Sequence, residues 1–315
     1  MPSASGDGRR EGRKILFFKS YMQHKPKKSL GQNFLKSVPV LNKIVEAGEI
    51  SSEDIILEIG PGKGALTEKL LSAISASHKE ADREKTGYVI AVEKDRELFT
   101  FLQNKFVKEI KEKKLILIEG DILNIEGEDV VLRTLGRSDG DGQRKFSAEN
   151  FRGDQNNIFP EYKLIANIPY NITGAILKKF LTEKRQPKMM ILMVQNEVAK
   201  RIMARDGKES ILSISVKAYG NPKMVMKVPA RYFSPAPKVD SAVISIKNIS
   251  REVFTKNKMD KGKFWEIVRA GFAHKRKKLS SNLKNYQGEP LVKTLGNKRA
   301  EELTLKDWIE LAKMV

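Results

Sequence analysis

The feature that most constrains the fold of this chain is the order of its short apolar runs. Four runs have the length and composition of strands buried on both faces: residues 55–59, 88–92, 115–118 and 162–165. Segments with a helical spacing of apolar residues lie between them, such as 95–114, in which one face carries Leu98, Leu102, Phe106 and Ile110. Strands that alternate with helices predict an α/β, Rossmann-like architecture with a parallel sheet.

Each predicted strand is followed by a residue suited to contact a ligand. In chain order these residues are Gly60, Glu93, Asp121 and Asn167. The carboxyl ends of parallel strands meet at one edge of a sheet, and folds of this kind bind their ligands there. We therefore expect the four residues to line one site.

The chemistry of these strand ends indicates the class of ligand. The Gly-x-Gly-x-Gly turn that begins at Gly60 lets backbone approach a ligand closely, although Pro61 departs from the dinucleotide-binding pattern. Glu93, at the end of the second strand, can accept both hydroxyls of a ribose, and Asp121 is placed to accept an adenine amine. Each position alone is a weak signal, but the ordered set predicts a nucleoside cofactor with an amino-acid arm, S-adenosylmethionine.

The tetrapeptide Asn167-Ile168-Pro169-Tyr170 is the predicted reacting end of the site. Pro169 lacks a backbone donor and holds Ile168 extended, which turns the Ile168 carbonyl out of the ladder beside the Asn167 side chain. Two acceptors next to an aromatic ring suit an adenine whose amine points inward and whose base stacks on Tyr170. The same four residues also suit a plain strand-ending turn with a half-buried tyrosine, and the tetrapeptide alone does not separate the two interpretations.

Composition favours a polyanionic partner and excludes several chemistries. Lys and Arg number 59 against 39 Asp and Glu, a net charge of +20 that favours nucleic acid. The densest basic run is Lys275, Arg276, Lys277 and Lys278, for which phosphate contact competes with ordinary surface charge. The chain has no cysteine, which excludes disulfides and thiolate chemistry, and its 3 histidines lack metal-ligand spacing, so we expect no metal. No apolar run approaches the length of a membrane span.

Four motifs together resemble those of the bacterial small-subunit rRNA adenine N6-dimethyltransferases, the KsgA/RsmA family. They are residues 31–35 (Gly-Gln-Asn-Phe-Leu), 58–62 (Glu-Ile-Gly-Pro-Gly), 167–170, and 233–242 (Phe-Ser-Pro-Ala-Pro-Lys-Val-Asp-Ser-Ala). The resemblance covers nearly all of residues 25–315.

This resemblance implies a cofactor, a substrate and roles for single residues. It implies that residues 32–35 form a lid strand and that S-adenosylmethionine contacts Asn33, Leu35, Gly60, Glu93, Asp121 and Asn167. The implied substrate is a pair of adjacent adenosines in the 3′-terminal hairpin loop of 16S rRNA, within an immature 30S subunit. The target base must leave its stack, so we expect Tyr170, together with Phe233, to provide a stacking surface.

The resemblance and the composition together predict the organisation of the chain. We expect a disordered basic tail over 1–23, an S-adenosylmethionine-dependent methyltransferase domain over 24–248 with a flexible insertion at 136–157, and a small helical RNA-binding domain over 249–315. We expect the protein to be a cytoplasmic monomer.

Two other functions remain open from the sequence. The 23S rRNA adenine methyltransferases of macrolide resistance, the Erm family, share this type of domain, and Ile168 and Gly62-Lys63-Gly64 lean towards them, whereas Pro61 and Asp240 lean away. A non-catalytic RNA-binding assembly factor on the same fold is the second alternative. The complete set of predicted cofactor residues argues against it, and a failure to bind S-adenosylmethionine would favour it.

Overall fold

The structure of the chain, a computed structural model, describes residues 25–77, 87–125, 131, 160–286 and 290–314. The predicted tail (1–23) and the predicted insertion (136–157) lie outside these ranges. The described ranges form a central seven-stranded sheet, a separate two-stranded sheet, and helices that pack on both faces of the larger sheet. None of the helices in these ranges is long and apolar enough to cross a membrane.

Nine strands are described, two of them in the small sheet. That sheet pairs β1 (Phe34–Leu35) with β8 (Phe233–Ser234). The strands of the large sheet are β2 (Ile55–Ile59), β3 (Tyr88–Glu93), β4 (Leu115–Glu119), β5 (Tyr162–Asn167), β6 (Met189–Gln195), β7 (Asn221–Val228) and β9 (Ser241–Lys247). Their spatial order is β4-β3-β2-β5-β6-β9-β7. The five strands from β4 to β6 are parallel, which confirms the predicted Rossmann-like sheet.

The helices follow the strands in alternation through the first half of the chain. Those around the large sheet are α1 (Val38–Ala47), α2 (Ala65–Ala76), α3 (Arg96–Lys105), α4 (Val107–Lys111), α5 (Thr173–Thr182), α6 (Asn196–Met203) and α7 (Ile211–Lys217). Those of the C-terminal part are α8 (Glu252–Lys256), α9 (Lys261–Gly271), α10 (Leu279–Asn282), α11 (Pro290–Leu295) and α12 (Leu305–Lys313). The predicted C-terminal helical part is therefore present in the described residues.

Alternation along the buried strands creates one hydrophobic core on each face of the sheet. In β2, Leu57 belongs to the core that also contains α5 and α7, whereas Ile56 belongs to the core that contains α1 and α2. Both side chains are 0% exposed. Successive side chains of a strand point to opposite faces, so a strand covered on both faces is apolar at nearly every position.

One detail of the predicted helices was wrong. The segment 95–114 is not one helix but α3 and α4, which are separated at Phe106, where φ is −109° and ψ is 32°. The apolar spacing continues across the break, so periodicity could not reveal it.

Strand β9 brings a second segment of the chain to the carboxyl edge of the parallel strands. It runs antiparallel to β6, and Ser241 at its start pairs with Gln195 at the end of β6. The motif 233–240, which precedes β9, therefore arrives at the edge where the predicted site residues lie.

The C-terminal helices share a core with one face of the sheet. Tyr219, which follows α7, contacts Phe254 and Trp265 at ring-centroid distances of 5.4 and 6.4 Å. Phe264 and Trp308 are both 0% exposed and belong to the same hydrophobic cluster as β2 residues. The apolar contacts thus continue from the sheet into the last third of the chain.

Candidate functional site

A cavity of about 610 Å³ lies at the carboxyl edge of the sheet, a volume typical of small-molecule sites. All six residues expected to contact a cofactor line it: Asn33, Leu35, Gly60, Glu93, Asp121 and Asn167. Ile168 and Tyr170 also line it. The structure therefore brings these sequence-predicted residues together.

The glycine turn between β2 and α2 forms one wall of the cavity. Gly60, Gly62 and Gly64 have φ values of 64°, 59° and 76°, a left-handed backbone that favours glycine. A Cβ atom added at Gly60 would meet nothing within 4 Å, whereas one added at Gly64 would lie 2.6 Å from the Phe106 ring. The open space at Gly60 lets a ligand approach the backbone, and Gly64 allows α2 to pack against Phe106.

Glu93 ends β3 with its carboxylate held by backbone donors. Its Oε1 accepts from the N–H of Asp95 at 2.8 Å, and its Oε2 accepts from the N–H of Gly62 at 3.1 Å. Burial raises the pKa of Glu93 despite these hydrogen bonds, which act in the opposite direction. Because each carboxylate oxygen can accept more than one hydrogen bond, the group keeps capacity for two ligand hydroxyls.

Asp121 lies just beyond β4 and is ordered by two contacts. Its Oδ1 accepts from the N–H of Leu123 at 3.0 Å, and its Oδ2 lies 2.8 Å from Lys94 Nζ. Burial opposes ionisation, but the hydrogen bonds from Lys94 and Leu123 hold the pKa of Asp121 below its usual value. A carboxylate that stays ionised is an acceptor, as a contact with an adenine amine requires.

Glu58 is a site residue whose chemistry sequence reasoning missed. It lies within β2, lines the cavity, is 1% exposed, and its Oε2 accepts from Thr67 Oγ1 at 2.7 Å. Burial raises its pKa to about 8, and the nearby charge of Glu93 adds to this effect. The signal that could have identified it is a single acid inside an otherwise apolar strand.

The reacting tetrapeptide begins where β5 ends. Asn167 Nδ2 donates to the backbone carbonyl of Asn33 at 3.4 Å, which directs the amide oxygen away from that segment. Ile168 is 1% exposed, so its side chain is buried and its predicted contact with the target amine would be made by its backbone carbonyl. Pro169 has φ −57° and ψ 136°, an extended conformation that stops the strand before the turn at 170–172.

Tyr170 is half-buried and tethered through its hydroxyl. The Tyr170 oxygen lies 2.5 Å from Ser241 Oγ, and Ser241 is 0% exposed. Burial raises the pKa of Tyr170, although the hydrogen bond with Ser241 opposes the rise, so the hydroxyl is neutral at physiological pH. The ring is thereby fixed at the mouth of the site.

Phe233, expected to share the stacking role, lies elsewhere. Its side chain is 2% exposed and packs in the core with Leu35 and Val243, and it is not among the residues that line the cavity. It occupies β8, whose backbone pairs with β1, so its ring is directed into the core. Of the two rings, Tyr170 is the one that lines the cavity.

Most of residues 25–35 line the cavity, and we call this segment, which includes the predicted lid strand at 32–35, the lid. Within this lid, β1 pairs with β8 through Phe34↔Ser234 and Leu35↔Phe233. The pairing joins two of the sequence motifs, 31–35 and 233–242. A second cavity, of about 420 Å³, opens beside the lid and is lined by Lys28, Gly31, Asn33, Tyr170, Asn171 and Gln195. Sequence analysis did not single out Asn171 or Gln195, which have no distinctive local pattern.

The basic run lies away from the cavity, between α9 and α10. Lys275, Arg276, Lys277 and Lys278 are all exposed. Lys278 Nζ lies 3.2 Å from Asn297 Oδ1. Among the described residues no group of His, Asp or Glu is arranged to hold a metal ion.

Comparisons with known proteins point to one family. The family model for ribosomal RNA adenine dimethylase matches residues 23–315. A ribosomal RNA small subunit methyltransferase A of Dehalococcoides mccartyi is 36% identical over 296 residues, which cover 91% of this chain and 87% of the relative. The protein of the same name from Fusobacterium nucleatum is 35% identical over 303 residues, covering 93% and 98%.

Solved structures share the fold. A dimethyladenosine transferase from Plasmodium falciparum has a TM-score of 0.64 and 25% identity, covering 88% of this chain and 95% of that one. The 23S rRNA methyltransferase ErmE has a TM-score of 0.62 and 20% identity, covering 90% and 99%, and is similar in fold alone. With the family match across its length and these relatives, the chain belongs to the ribosomal RNA adenine dimethylase family.

Proposed function

We propose that this chain transfers methyl groups from S-adenosylmethionine to N6 of two adjacent adenosines in the 3′-terminal hairpin loop of 16S rRNA, in an immature 30S subunit. The observation that carries the proposal is the cavity in which the four strand ends, the lid and the Asn167–Tyr170 tetrapeptide meet. The curated relatives named above are small-subunit methyltransferases at 35–36% identity, whereas ErmE is 20% identical, so the small subunit is favoured over 23S rRNA.

The donor set of the cavity fits S-adenosylmethionine. Glu93 offers a carboxylate to the ribose hydroxyls, Asp121 offers one to the adenine amine, and the backbone at Gly60 faces open space. When bound, the cofactor supplies an electrophilic methyl group on a sulfonium. The protein's part is to hold the target amine in line with that methyl group.

Asn167 and Ile168 orient the target amine. The Asn167 amide oxygen and the Ile168 carbonyl accept its two hydrogens, which raises electron density on a nitrogen whose lone pair is otherwise shared with the ring. Tyr170 stacks on the extruded base, and its tether to Ser241 holds the ring in place. After the first transfer one hydrogen remains on the amine, so a single acceptor must suffice for the second.

Methyl transfer to purified ribosomal subunits tests the proposal. Subunits from cells that lack these modifications are incubated with labelled S-adenosylmethionine, and the modified nucleoside is identified. We expect label in small-subunit RNA as dimethyladenosine. Label in large-subunit RNA would instead indicate a 23S rRNA methyltransferase of the macrolide-resistance type. Cofactor binding without transfer to either subunit would indicate a non-catalytic RNA-binding factor.

Asn167→Ala tests the assigned chemistry. The side chain is placed to contact the target amine, so we expect S-adenosylmethionine affinity within about threefold of wild type and a loss of at least about 100-fold in kcat, the scale seen when one oriented polar group is removed. Asn104→Ala, which removes an exposed amide on α3, is the control and should leave both unchanged. Equal losses of binding and transfer in Asn167→Ala would contradict the role.

A further inference from the structure

We propose that Asp95 is a positioning residue for cofactor binding, which fastens the lid (residues 25–35) over the cavity. The inference rests on the proposed function, because it assumes that the cavity holds S-adenosylmethionine. Asp95 is neither at a strand end nor in any of the four motifs, and the sequence indicates only that it begins a helix. We call the contacts of Asp95 with Lys27 and Gln32 the latch.

The latch is a closed ring of hydrogen bonds. Asp95 Oδ1 accepts from Lys27 Nζ at 2.8 Å, and Asp95 Oδ2 accepts from Gln32 Nε2 at 2.8 Å. The backbone N–H of Lys27 donates to Gln32 Oε1 at 2.8 Å, which joins the two lid residues to each other. The short turn at 28–30 is therefore tied to one carboxylate from both sides.

Charge strengthens these contacts. The Asp95 side chain is 0% exposed, and burial alone would raise its pKa, but the hydrogen bonds from Lys27 and Gln32 hold the pKa below its usual value. The bond to Asp95 likewise raises the pKa of Lys27. Both groups are therefore ionised at neutral pH, and hydrogen bonds between ionised partners are stronger than neutral ones.

Asp95 also fixes the residue expected to bind the ribose. Its backbone N–H donates to Glu93 Oε1 at 2.8 Å, and its Oδ1 accepts from the N–H of Glu97 at 3.0 Å, which caps α3. The lid, the ribose-binding carboxylate and the start of α3 thus meet at Asp95. A displacement of the Asp95 carboxylate would disturb the lid directly.

The lid is fastened at both of its ends. The latch holds the amino-terminal end to α3, and the pairing of β1 with β8 holds the carboxyl-terminal end. Asn33 lies between them and lines the cavity, as does Phe34 of β1. Asn33, whose carbonyl accepts from Asn167, directly precedes β1, and loss of the latch leaves the pairing of β1 with β8 in place. We therefore expect the lid to loosen over the cofactor while Asn167 keeps its position at the reacting end.

Two latch variants and a matched control test the inference. Asp95→Asn keeps the size of the side chain and an acceptor for the cap of α3, and Lys27→Met removes a partly exposed ammonium group whose loss does not threaten folding. Lys43→Met is the control, because Lys43 Nζ lies at the same 2.8 Å from Glu46, and its side chain is 45% exposed against 38% for Lys27. The dissociation constant of S-adenosylhomocysteine is measured by calorimetry, and kcat at saturating S-adenosylmethionine.

We expect the dissociation constant to rise about tenfold in both latch variants, which corresponds to about 1.4 kcal/mol. We expect kcat to stay within about twofold of wild type, and Lys43→Met to change neither quantity. A wild-type protein that does not bind S-adenosylhomocysteine would overturn the proposed function itself. Wild-type binding with unchanged affinity in Lys27→Met, or a loss confined to kcat, would overturn the role of the latch alone.

Discussion

Removing the hydrogen bond between the Tyr170 and Ser241 hydroxyls gives the sharpest test of the surface proposed to bind the target adenine. The two oxygens lie 2.5 Å apart, and Ser241 is wholly buried while Tyr170 is half-buried. Tyr170→Phe removes a hydrogen bond with a net value of about 1 kcal/mol and leaves the serine hydroxyl buried without this partner, so we expect a loss of about 2 kcal/mol in the free energy of unfolding. Ser241→Ala leaves the tyrosine hydroxyl able to reach solvent, so we expect a loss of about 1 kcal/mol.

A double-mutant cycle isolates the contact. Urea unfolding of wild type, Tyr170→Phe, Ser241→Ala and the double variant should give a coupling energy of about 2 kcal/mol, because the double variant has lost the hydrogen bond but leaves no buried serine hydroxyl without it, and so loses only about 1 kcal/mol in all. Coupling below about 0.3 kcal/mol would refute the tether.

Kinetics separate the ring from its hydroxyl. Tyr170→Phe keeps the stacking face, so we expect kcat/KM to fall by no more than about fivefold. Tyr170→Ala removes a stacking contact of about 1–3 kcal/mol, which corresponds to about 5- to 150-fold in kcat/KM. Equal effects of the two substitutions would show that the ring does not stack on the base.

Three further predictions concern stability and RNA binding. Burial raises the pKa of Glu58 from 4.5 to about 8, so between these pH values the folded state holds a proton that the unfolded chain has released. The free energy of unfolding should therefore fall as pH rises through this range, by up to about 1.4 kcal/mol per pH unit. Glu58→Gln should abolish this pH dependence when urea unfolding is compared at pH 5.5 and 8. A Cβ at Gly271 would lie 2.3 Å from the buried Trp308 ring, so Gly271→Ala should lower the free energy of unfolding by roughly 1–3 kcal/mol, whereas Gly174→Ala, with open space around it, should not lower it. Replacing all four residues of the basic run, Lys275, Arg276, Lys277 and Lys278, by Gln should weaken RNA binding and leave the affinity for S-adenosylhomocysteine unchanged. The slope of the logarithm of the RNA-binding constant against the logarithm of the salt concentration should become shallower by up to about 3.

The strand ends were predictable because their signals are local. A strand buried on both faces is apolar at nearly every position, so the polar residues or glycine that follow the apolar run mark where it ends. Parallel topology then places Gly60, Glu93, Asp121 and Asn167 at one edge, and all four line the cavity. Strand β4 ends at Glu119, one residue later than the predicted end at 118, so Asp121 lies two residues beyond the strand.

The latch and the small sheet could not be predicted, because their signals are not local. Asp95 follows a strand and begins a helix, and its partners Gln32 and Lys27 lie 63 and 68 residues away in the chain. Strands of two residues, such as β1 and β8, are too short to show alternation. The burial of Phe233 follows from the pairing of β8 with β1, and no pattern in the sequence indicates that pairing.

The ring contacts of Tyr219 with the C-terminal helices bear on how the protein would choose its target adenine. Tyr219 packs on Phe254 and Trp265, and these ring contacts join the helices that precede the exposed basic run to the part of the chain that carries the sheet. With the RNA substrate proposed above, we expect the protein to select an adenine by its distance from the phosphates that the basic run is predicted to contact. Base pairs inserted into the RNA between those two points would carry the target out of range while leaving its own sequence untouched.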